Sequence, residues 1–265
     1  AAGRTGANMR SLAEARAARA SLSWEGEGRP CAPKRCGVTV IDDVSVSDLV
    51  ATIDWTPFFQ TWELAGRFPA ILDDDVVGEV ARDLYADAQA MLTAIIEEGW
   101  ITPRGVVGLF AAASEGDDIQ LFAESGDAAP LATLHMLRQQ QRKSGDQPNR
   151  SLSDYVAPRS SGVNDWVGAF VVSTGHGVAE RVEAFKAEHD DYRAILLEAL
   201  ADRLAEAFAE HLHQRVRTQL WGYAVDEAMS NAELIREQYQ GIRPAPGYPA
   251  CPDHTEKATL FELLD

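Results

Sequence analysis

The sequence predicts an α+β fold in which long helices pack around a twisted, mainly antiparallel sheet. Three patterns support this class. Apolar side chains recur at helical spacing over residues 76–98 and, as one long pattern, over residues 178–221. Two short apolar runs, residues 106–110 and 119–122, flank a Ser/Glu/Gly/Asp turn that is typical of a hairpin. In the longest pattern most apolar positions lie four apart, a step that drifts by about 40° around a helix, so this helix is expected to pack on more than one side.

Shorter signals predict the remaining organisation of the chain. Residues 37–41 and 166–173 are apolar runs with the composition of strands, and residues 46–53 suit a short helix or turn. Residues 1–36 show no sustained hydrophobic period and are predicted to be a linker. The folded domain is therefore expected over residues 37–265.

Helix starts explain the acid Asp54 and a cluster of three further aspartates. Thr56 followed by Pro57 fits an N-cap and a first helical position, which sets Asp54 just outside a helix. Three consecutive aspartates, residues 73–75, precede the helix of residues 76–98. Acids complement the positive end of a helix, so this cluster is interpreted as a helix start and not as a metal site.

Composition excludes several classes of function. The chain has 265 residues and a net charge of −17, a balance that repels nucleic acids and anionic membranes. It contains no apolar run long enough to span a bilayer and no leader, which predicts a cytoplasmic protein. Its three cysteines are predicted to be free thiols, because this number and spacing fit neither a disulfide framework nor a zinc site. The absence of a starting methionine and the abrupt end suggest a piece of a longer protein.

A proline-rich segment near the C-terminus, residues 243–252, carries an arginine and a tyrosine in a backbone that prolines keep stiff. The guanidinium of Arg243 suits a carboxylate, and the ring of Tyr248 suits an apolar or cationic group. Two interpretations remain open at this point: a loop that binds a small molecule, or a rigid connector whose arginine pairs with a surface acid.

Acids also line one side of the longest predicted helix. They are spaced four apart: Glu198, Asp202, Glu206 and Glu210. The row is either a solvated ridge or a face on which one carboxylate meets a bound cation. His211 and His213 point about 200° apart around the helix and cannot chelate a metal together, so they are expected to decorate its basic C-terminal end.

Other chemistries find little support. The run Gly175-His176-Gly177 after a strand imitates a dinucleotide-binding turn, but Glu180 stands where a third glycine is needed. No Gly-x-Ser-x-Gly elbow or comparable cysteine site favours a hydrolase. The residues alone support a binder of a small zwitterion or cation.

A set of motifs in a fixed order resembles the activation domain of cobalamin-dependent methionine synthase. The motifs are Asp-Trp-Thr-Pro-Phe-Phe (54–59), Thr-Pro-Arg-Gly-Val-Val-Gly-Leu-Phe (102–110), Gly-Asp-Asp-Ile (116–119), Leu-Arg-Gln-Gln (137–140), Ala-Asp-Arg-Leu-Ala-Glu-Ala-Phe (201–208) and Gly-Ile-Arg-Pro-Ala-Pro-Gly-Tyr-Pro (241–249). The resemblance covers residues 37–265, and residues 1–36 look like the interdomain linker from a cobalamin-binding module.

This resemblance implies a reactivation module that binds S-adenosylmethionine as methyl donor for the reductive remethylation of cob(II)alamin. Cobalamin is then held by a partner module, zinc belongs only to a distant module, and flavodoxin or a flavoprotein reductase supplies the electron. Neither a catalytic residue nor a metal site is expected on this chain, which should not turn over alone. The positions matching the family's S-adenosylmethionine site are Asp54, Glu206, Glu237, Arg243, Ala245 and Tyr248.

The charges at these positions complement the ligand, because S-adenosylmethionine carries an ammonium, a sulfonium and a carboxylate. Family members continue for several dozen residues beyond the Glu-Lys-Ala-Thr segment, so we expect this chain to lack the C-terminal end of the domain. Since the domain is acidic, flavodoxin docking is expected to need a basic patch, and Arg215 and Arg217 are the candidates.

Two alternatives remain. One is a truncated, non-catalytic module that only docks on, and caps, a cobalamin-binding protein. The other is a freestanding methyltransferase with a different acceptor, which the missing glycine fingerprint disfavours.

Overall fold

The computed structural model describes residues 8–126, 129–248 and 251–265. Within those ranges the chain forms eight α-helices and a five-stranded sheet, which confirms the predicted α+β class. The helices are α1 (Leu12–Ala17), α2 (Val46–Val50), α3 (Trp55–Thr61), α4 (Gly78–Glu98), α5 (Val178–Ala187), α6 (Asp191–Arg215), α7 (Asn231–Ile235) and α8 (Glu256–Leu264). The strands are β1 (Gly37–Ile41), β2 (Thr102–Glu115), β3 (Asp118–Phe122), β4 (Ala132–His135) and β5 (Asp165–His176).

Strand β2 organises the sheet because every other strand except β4 pairs with it. β5 runs antiparallel along one edge, with Val107 opposite Phe170. β1 and then β3 pair with successive parts of the other edge, and β4 extends the sheet from β3. The predicted hairpin is therefore correct: β2 and β3 are joined at Gly116, whose φ of 65° suits a tight turn.

Helix α6 lies at the centre of the main core and is buried on several sides. Its apolar residues include Leu200, Leu204 and Phe208, all with no exposed surface. Gly105 of β2 allows the close approach, because a Cβ there would lie 3.0 Å from the ring of Phe208. Although α4 and α6 are long, none of the helices in the described parts of the chain combines the length and apolar character needed to cross a bilayer.

A second, smaller core covers the other face of the sheet. It joins Phe110 of β2, Leu121 of β3 and Leu134 of β4 with Leu264 of α8. The buried thiol of Cys251 belongs to the same cluster. The C-terminal helix and the end of the proline-rich segment are therefore packed on the sheet.

The single helical pattern predicted for residues 178–221 is divided in the structure. Helix α5 ends before His189, whose φ of 60° is left-handed, and the side chain of Asp190 then caps α6 by accepting the N–H of Arg193 at 2.9 Å. At its other end α6 continues as a π-helical turn, Val216–Leu220. Such turns shift the register of the following side chains and are often found at functional sites.

The helix starts differ in detail from the prediction. The N-cap of α3 is Asp54 itself, whose carboxylate accepts the N–H of Thr56 at 3.0 Å, so the assignment of the cap to Thr56 was wrong. Asp74 accepts the N–H groups of Val76 and Val77 at 2.8 and 3.0 Å just before α4. These hydrogen bonds lower the pKa of the Asp74 carboxyl.

The segment before β1 is fastened to the folded domain. Ala15 of α1 has no exposed surface, and the Arg16 guanidinium contacts the Asp117 carboxylate at 2.7 Å. Further along, the indole N–H of Trp221 donates to the carbonyl of Cys31 at 2.7 Å. The folded part of the chain therefore begins before residue 37, while the origin of residues 1–36 as an interdomain linker stays a prediction.

Candidate functional site

The proline-rich loop, residues 241–252, is closed by its own backbone. The N–H of Gly247 donates to the carbonyl of Cys251 at 2.8 Å, and the N–H of Cys251 donates to the carbonyl of Tyr248 at 2.9 Å. Residues 249–250 lie outside the described part of the chain. These two hydrogen bonds hold Gly247 and Tyr248 next to Cys251.

The entry to this loop is covered by Tyr223, while its tip is open. Gly241 has a φ of 97°, and the hydroxyl of Tyr223 donates to the neighbouring carbonyl of Gln240 at 3.2 Å. Ala245 is exposed, and Tyr248 keeps 65% of its surface accessible. The loop therefore presents these two side chains to the solvent.

The side chain of Arg243 turns inward from the loop toward α6. Its Nη2 donates to Oε2 of Glu210 at 3.0 Å, and its side chain is only 23% exposed. The Nε of Arg243 is buried and has no hydrogen-bond partner among the described residues. Burial raises the pKa of the Glu210 carboxyl, against the opposing effect of the two arginines nearby.

Behind this pair lies a buried polar network centred on Arg217, which has no exposed side-chain surface. Its Nε and Nη2 donate to both carboxylate oxygens of Glu227 at 2.8 and 2.7 Å, and its Nη1 contacts Nδ1 of His213 at 2.6 Å. The guanidinium also stands over the ring of Tyr239, 4.2 Å from the centroid. The π-helical turn places Arg217 where it can hold three chain segments together.

His213 acts as a neutral member of this network. Burial, together with the positive charges of Arg217 and Arg243, lowers the pKa of His213 from 6.5 to about 3. A neutral imidazole can accept an N–H from Arg217 at Nδ1. Its ring meets Tyr239 edge to face, with 4.8 Å between the centroids.

Asp54 reaches the same region through the backbone that precedes it. The hydroxyl of Thr52 donates to the carbonyl of Ala207 on α6 at 3.1 Å. The carbonyl of Ile53 accepts Nδ2 of Asn231, the first residue of α7, at 3.0 Å. The start of α3 is thus tied to α6, within one turn of Glu210, and to the segment that leads into the proline-rich loop.

The other two predicted acids are exposed. Glu206 lies on α6 one turn before Glu210, and Glu237 follows α7 with a left-handed φ of 53°. The N–H of Glu237 donates to the carbonyl of Leu234 at 2.8 Å, so this residue ends the helix. Among the described residues, no hydrogen bond or ion pair directly joins two of the six predicted positions.

A groove of about 550 Å³ lies elsewhere, between the N-terminal segment and the start of β5. Trp24, Arg29 and Trp166 are among the residues that line it, and none of the six predicted positions does. The residues at α6 and the proline-rich loop have the charges that the sequence predicts for the ligand, whereas this groove is lined mainly by apolar and small residues, with Glu25 and Arg29 as its charged members. We therefore take the region of Arg243 as the candidate site.

The family model described as the activation domain of vitamin B12 dependent methionine synthase matches residues 45–265. The chain belongs to this family. The match includes all six predicted site positions and the whole of α6. It confirms the resemblance inferred from the ordered motifs, and it assigns the chain to the activation domain of a methyltransferase.

A solved structure supports the same assignment over more of the chain. The MetH reactivation domain bound to AdoHcy shares 50% sequence identity with this activation domain and has a TM-score of 0.92. The similarity covers 97% of this chain and 78% of that chain. This identity and TM-score show that the two chains share the same fold.

The structure of the activation domain corrects two predictions about its basic residues. Arg217 is buried, and Arg215 donates to both carboxylate oxygens of Asp43 at 2.6 and 2.8 Å, so these arginines do not form the predicted docking patch. His213 does not decorate a solvated helix end, because it is buried in the network. Both errors arose from treating charged and polar residues near the end of a helix as exposed.

Sequence reasoning also missed the buried partners of the predicted arginine. Glu210 was recognised only as the last acid of a row, whereas Glu198, Asp202 and Glu206 are exposed and Glu210 is buried. No motif or apolar period marks Glu227 or Tyr239. One signal was available for Glu210, since it follows Leu204 and Phe208 closely on a helix expected to pack on several sides.

Proposed function

We propose that this activation domain binds S-adenosylmethionine beside Arg243, between the start of α3, the middle of α6 and the proline-rich loop. The observation that carries the proposal is the buried, unpartnered Nε of Arg243, which offers a donor to a ligand carboxylate. A guanidinium held by a neighbouring acid at one nitrogen still has free donors for a second acid.

The related reactivation domain supports the ligand class, because AdoHcy is S-adenosylmethionine without its transferable methyl group. In our proposal Arg243 binds the carboxylate of the ligand, and Asp54, Glu206 and Glu237 face its positive groups. Tyr248 and Ala245, both exposed on the loop, border the ligand. The buried Oδ1 of Asn231, which has no partner among the described residues, is a hydrogen-bond acceptor on the residue that contacts the carbonyl preceding Asp54.

We further propose that the domain positions the ligand and does not itself act as acid or base. S-adenosylmethionine supplies an activated methyl group when bound, so the protein has only to orient it toward its acceptor. The acceptor, cobalamin, belongs to a partner module, zinc to a distant module, and the electron for reactivation comes from flavodoxin or a flavoprotein reductase. The isolated chain then has no turnover of its own, and its location in the cytoplasm remains a prediction from the sequence.

The test is calorimetric titration of the chain with S-adenosylmethionine and AdoHcy. Arg243→Ala is expected to weaken binding by at least about 1.5 kcal/mol, because a charge-assisted hydrogen bond is lost. Arg236→Ala is the matched control, since Arg236 is exposed and, among the described residues, donates to the carbonyl of Ala232 on its own helix. Unchanged affinity in Arg243→Ala would remove this residue from the site.

Failure of the unaltered chain to bind either ligand would favour the alternative of a docking and capping module. Methyl transfer to an acceptor in the absence of any corrinoid would instead favour a freestanding methyltransferase.

A further inference from the structure

Glu210 is the acid that Arg243 contacts, and it lies between two arginines. Its Oε2 accepts Nη2 of Arg243 at 3.0 Å, and its Oε1 lies 3.9 Å from Nη1 of Arg217 without a hydrogen bond. Glu210 has only 11% of its side chain exposed. A carboxylate in this position is held electrostatically from behind as well as from the loop.

Arg217 cannot itself turn toward a ligand. Three of its nitrogens are engaged, two with Glu227 and one with His213, and its face covers Tyr239. Its side chain is also fully buried. The role left to Arg217 at the candidate site is to fix the charge and place of Glu210.

Arg243, by contrast, keeps an unpaired donor, although the side chains of Glu210 and Tyr239 both hydrogen-bond to this arginine. The contact with Glu210 uses Nη2, while Nε is buried and has no partner among the described residues. A free arginine side chain samples many rotamers, and fixing it upon ligand binding costs conformational entropy. A support that fixes the guanidinium beforehand therefore favours binding of a carboxylate at the remaining donors.

We propose that Glu210 is a positioning residue, which holds Arg243 at Nη2 so that its remaining N–H groups face the carboxylate of the ligand. This inference rests on the proposed function, and it assigns to Glu210 selectivity for ligands that carry the amino-acid carboxylate. A merely structural role for Glu210 would affect every ligand of the site to the same degree.

The experiment compares AdoHcy with 5′-methylthioadenosine, a nucleoside thioether that lacks the carboxylate and ammonium. Glu210→Ala is expected to weaken AdoHcy binding by at least about tenfold, as for loss of a charge-assisted contact, and 5′-methylthioadenosine binding by less than about twofold. Glu198→Ala is the matched control, because Glu198 is an exposed acid on the same helix. Equal losses for both ligands, or no loss for AdoHcy, would overturn the assignment.

A double-mutant cycle gives a second measurement that does not need the smaller ligand. Once Arg243→Ala has been made, adding Glu210→Ala should change AdoHcy affinity by less than about twofold, because the residue to be positioned is gone. Additive losses would show that Glu210 acts independently of Arg243.

Glu210→Gln keeps an acceptor for Nη2 and serves if the alanine variant does not fold. Its AdoHcy affinity is expected to lie between that of wild type and that of Arg243→Ala. An affinity at or below that of Arg243→Ala would contradict the positioning role. Absence of AdoHcy binding by the wild-type chain would refute the proposed function itself, which is a different outcome from either of these.

Discussion

The guanidinium of Arg217 shows how a full charge is accommodated inside this domain. Burial of an ion is costly unless its hydrogen bonds are satisfied, and Arg217 obtains a two-pronged contact with Glu227 and a contact with His213. The pair contributes little by its mere presence, because desolvation offsets most of the attraction. Removing one partner is a different matter, since the other is left buried and unpaired.

Arg217→Met is therefore expected to lower the free energy of unfolding by about 3–5 kcal/mol. The physical reason is the uncompensated carboxylate of Glu227, whose side chain is 4% exposed. Urea unfolding followed by circular dichroism measures the change. The double variant Arg217→Met/Glu227→Leu should recover most of the loss, and a loss below about 1 kcal/mol in the single variant would contradict the account.

His213 makes stability depend on pH in a defined direction. Its pKa is 6.5 in the unfolded chain and about 3 in the folded chain, so protonation below pH 6.5 favours the unfolded state. The contribution of neutral His213 is present above pH 6.5 and is lost progressively as pH falls toward 3. Between pH 7 and pH 5 the loss from this group amounts to about 2 kcal/mol.

The comparison is between wild type and His213→Gln, each unfolded in urea at both pH values. The variant is expected to lose about 2 kcal/mol less than wild type over this interval. His176→Gln serves as control because His176 is exposed at the end of β5, and it should follow wild type. Parallel pH dependence in wild type and His213→Gln would disprove the assignment.

For single residues, the sequence predicts the chemical role of a side chain better than it predicts whether that side chain is buried. Arg243 could be predicted because prolines and an arginine together indicate a stiff cationic loop, and Arg243 does turn into a polar region. The burial of Arg217 could not be predicted, since arginine is seldom fully buried. Its main partner, Glu227, follows in an irregular segment without apolar periodicity. Whether a charge can be buried depends on its partner, and a partner that only the fold brings close produces no pattern in the local sequence.

Among the elements, the proline-rich loop depends on one glycine for its entry. Gly241 combines a φ of 97° with the hydroxyl of Tyr223 at 2.8 Å from the place of a Cβ. An alanine there meets both a left-handed backbone and a steric overlap. Gly145 has a similar backbone, with a φ of 62°, but nothing lies within 4 Å of its Cβ position.

Gly241→Ala is expected to lower the free energy of unfolding by about 1–3 kcal/mol more than Gly145→Ala, the excess being the cost of the overlap. AdoHcy affinity should fall only in Gly241→Ala, because this loop carries Arg243. Adding Tyr223→Phe removes the overlapping oxygen and leaves the nearest ring carbon at 3.7 Å, so it should restore part of the stability. Urea unfolding and calorimetry report the two quantities, and equal effects of the two alanine variants would argue against the steric explanation.

Helices and strands were mostly predictable because their apolar periods extend over many residues. The break between α5 and α6 was not, since His189 and not a glycine or proline adopts the left-handed conformation there. The π-helical turn was equally unpredictable, because the apolar residues of 212–220 lie four apart, as they would in an α-helix. Both irregularities are set by packing against neighbouring elements and not by local propensity.

For the whole molecule, ligand binding and folding should be linked. A ligand that binds only the folded chain raises the free energy of unfolding by about 2.7 kcal/mol at a concentration of 100 times Kd. AdoHcy at that concentration is expected to raise the melting temperature of the wild-type chain. Arg243→Ala at the same concentration should show a smaller shift, and a shift of equal size in both proteins would contradict a site at Arg243.

The order of motifs along the whole chain allowed the family to be predicted where single motifs could not. Four of the six motifs lie on α3, β2, α6 and the proline-rich loop, and contacts join the other three of these elements to α6. The remaining two lie at the start of β3 and in the segment after β4. The docking surface was harder to predict from the sequence, because the charge that a surface presents depends on which arginines are already paired. With Arg215 bound to Asp43 and Arg217 inside, a partner would meet a predominantly acidic surface.

The fastening of Trp221 has a mechanical consequence. Its indole N–H holds the carbonyl of Cys31, its own carbonyl accepts the N–H of Lys34, and it directly follows the turn that carries Arg217. Because α1 is itself fastened through Arg16 and Asp117, these two bonds would be loaded by a pull on the segment between α1 and Cys31. Displacement of that segment would thus act within four residues of the guanidinium that supports Glu210.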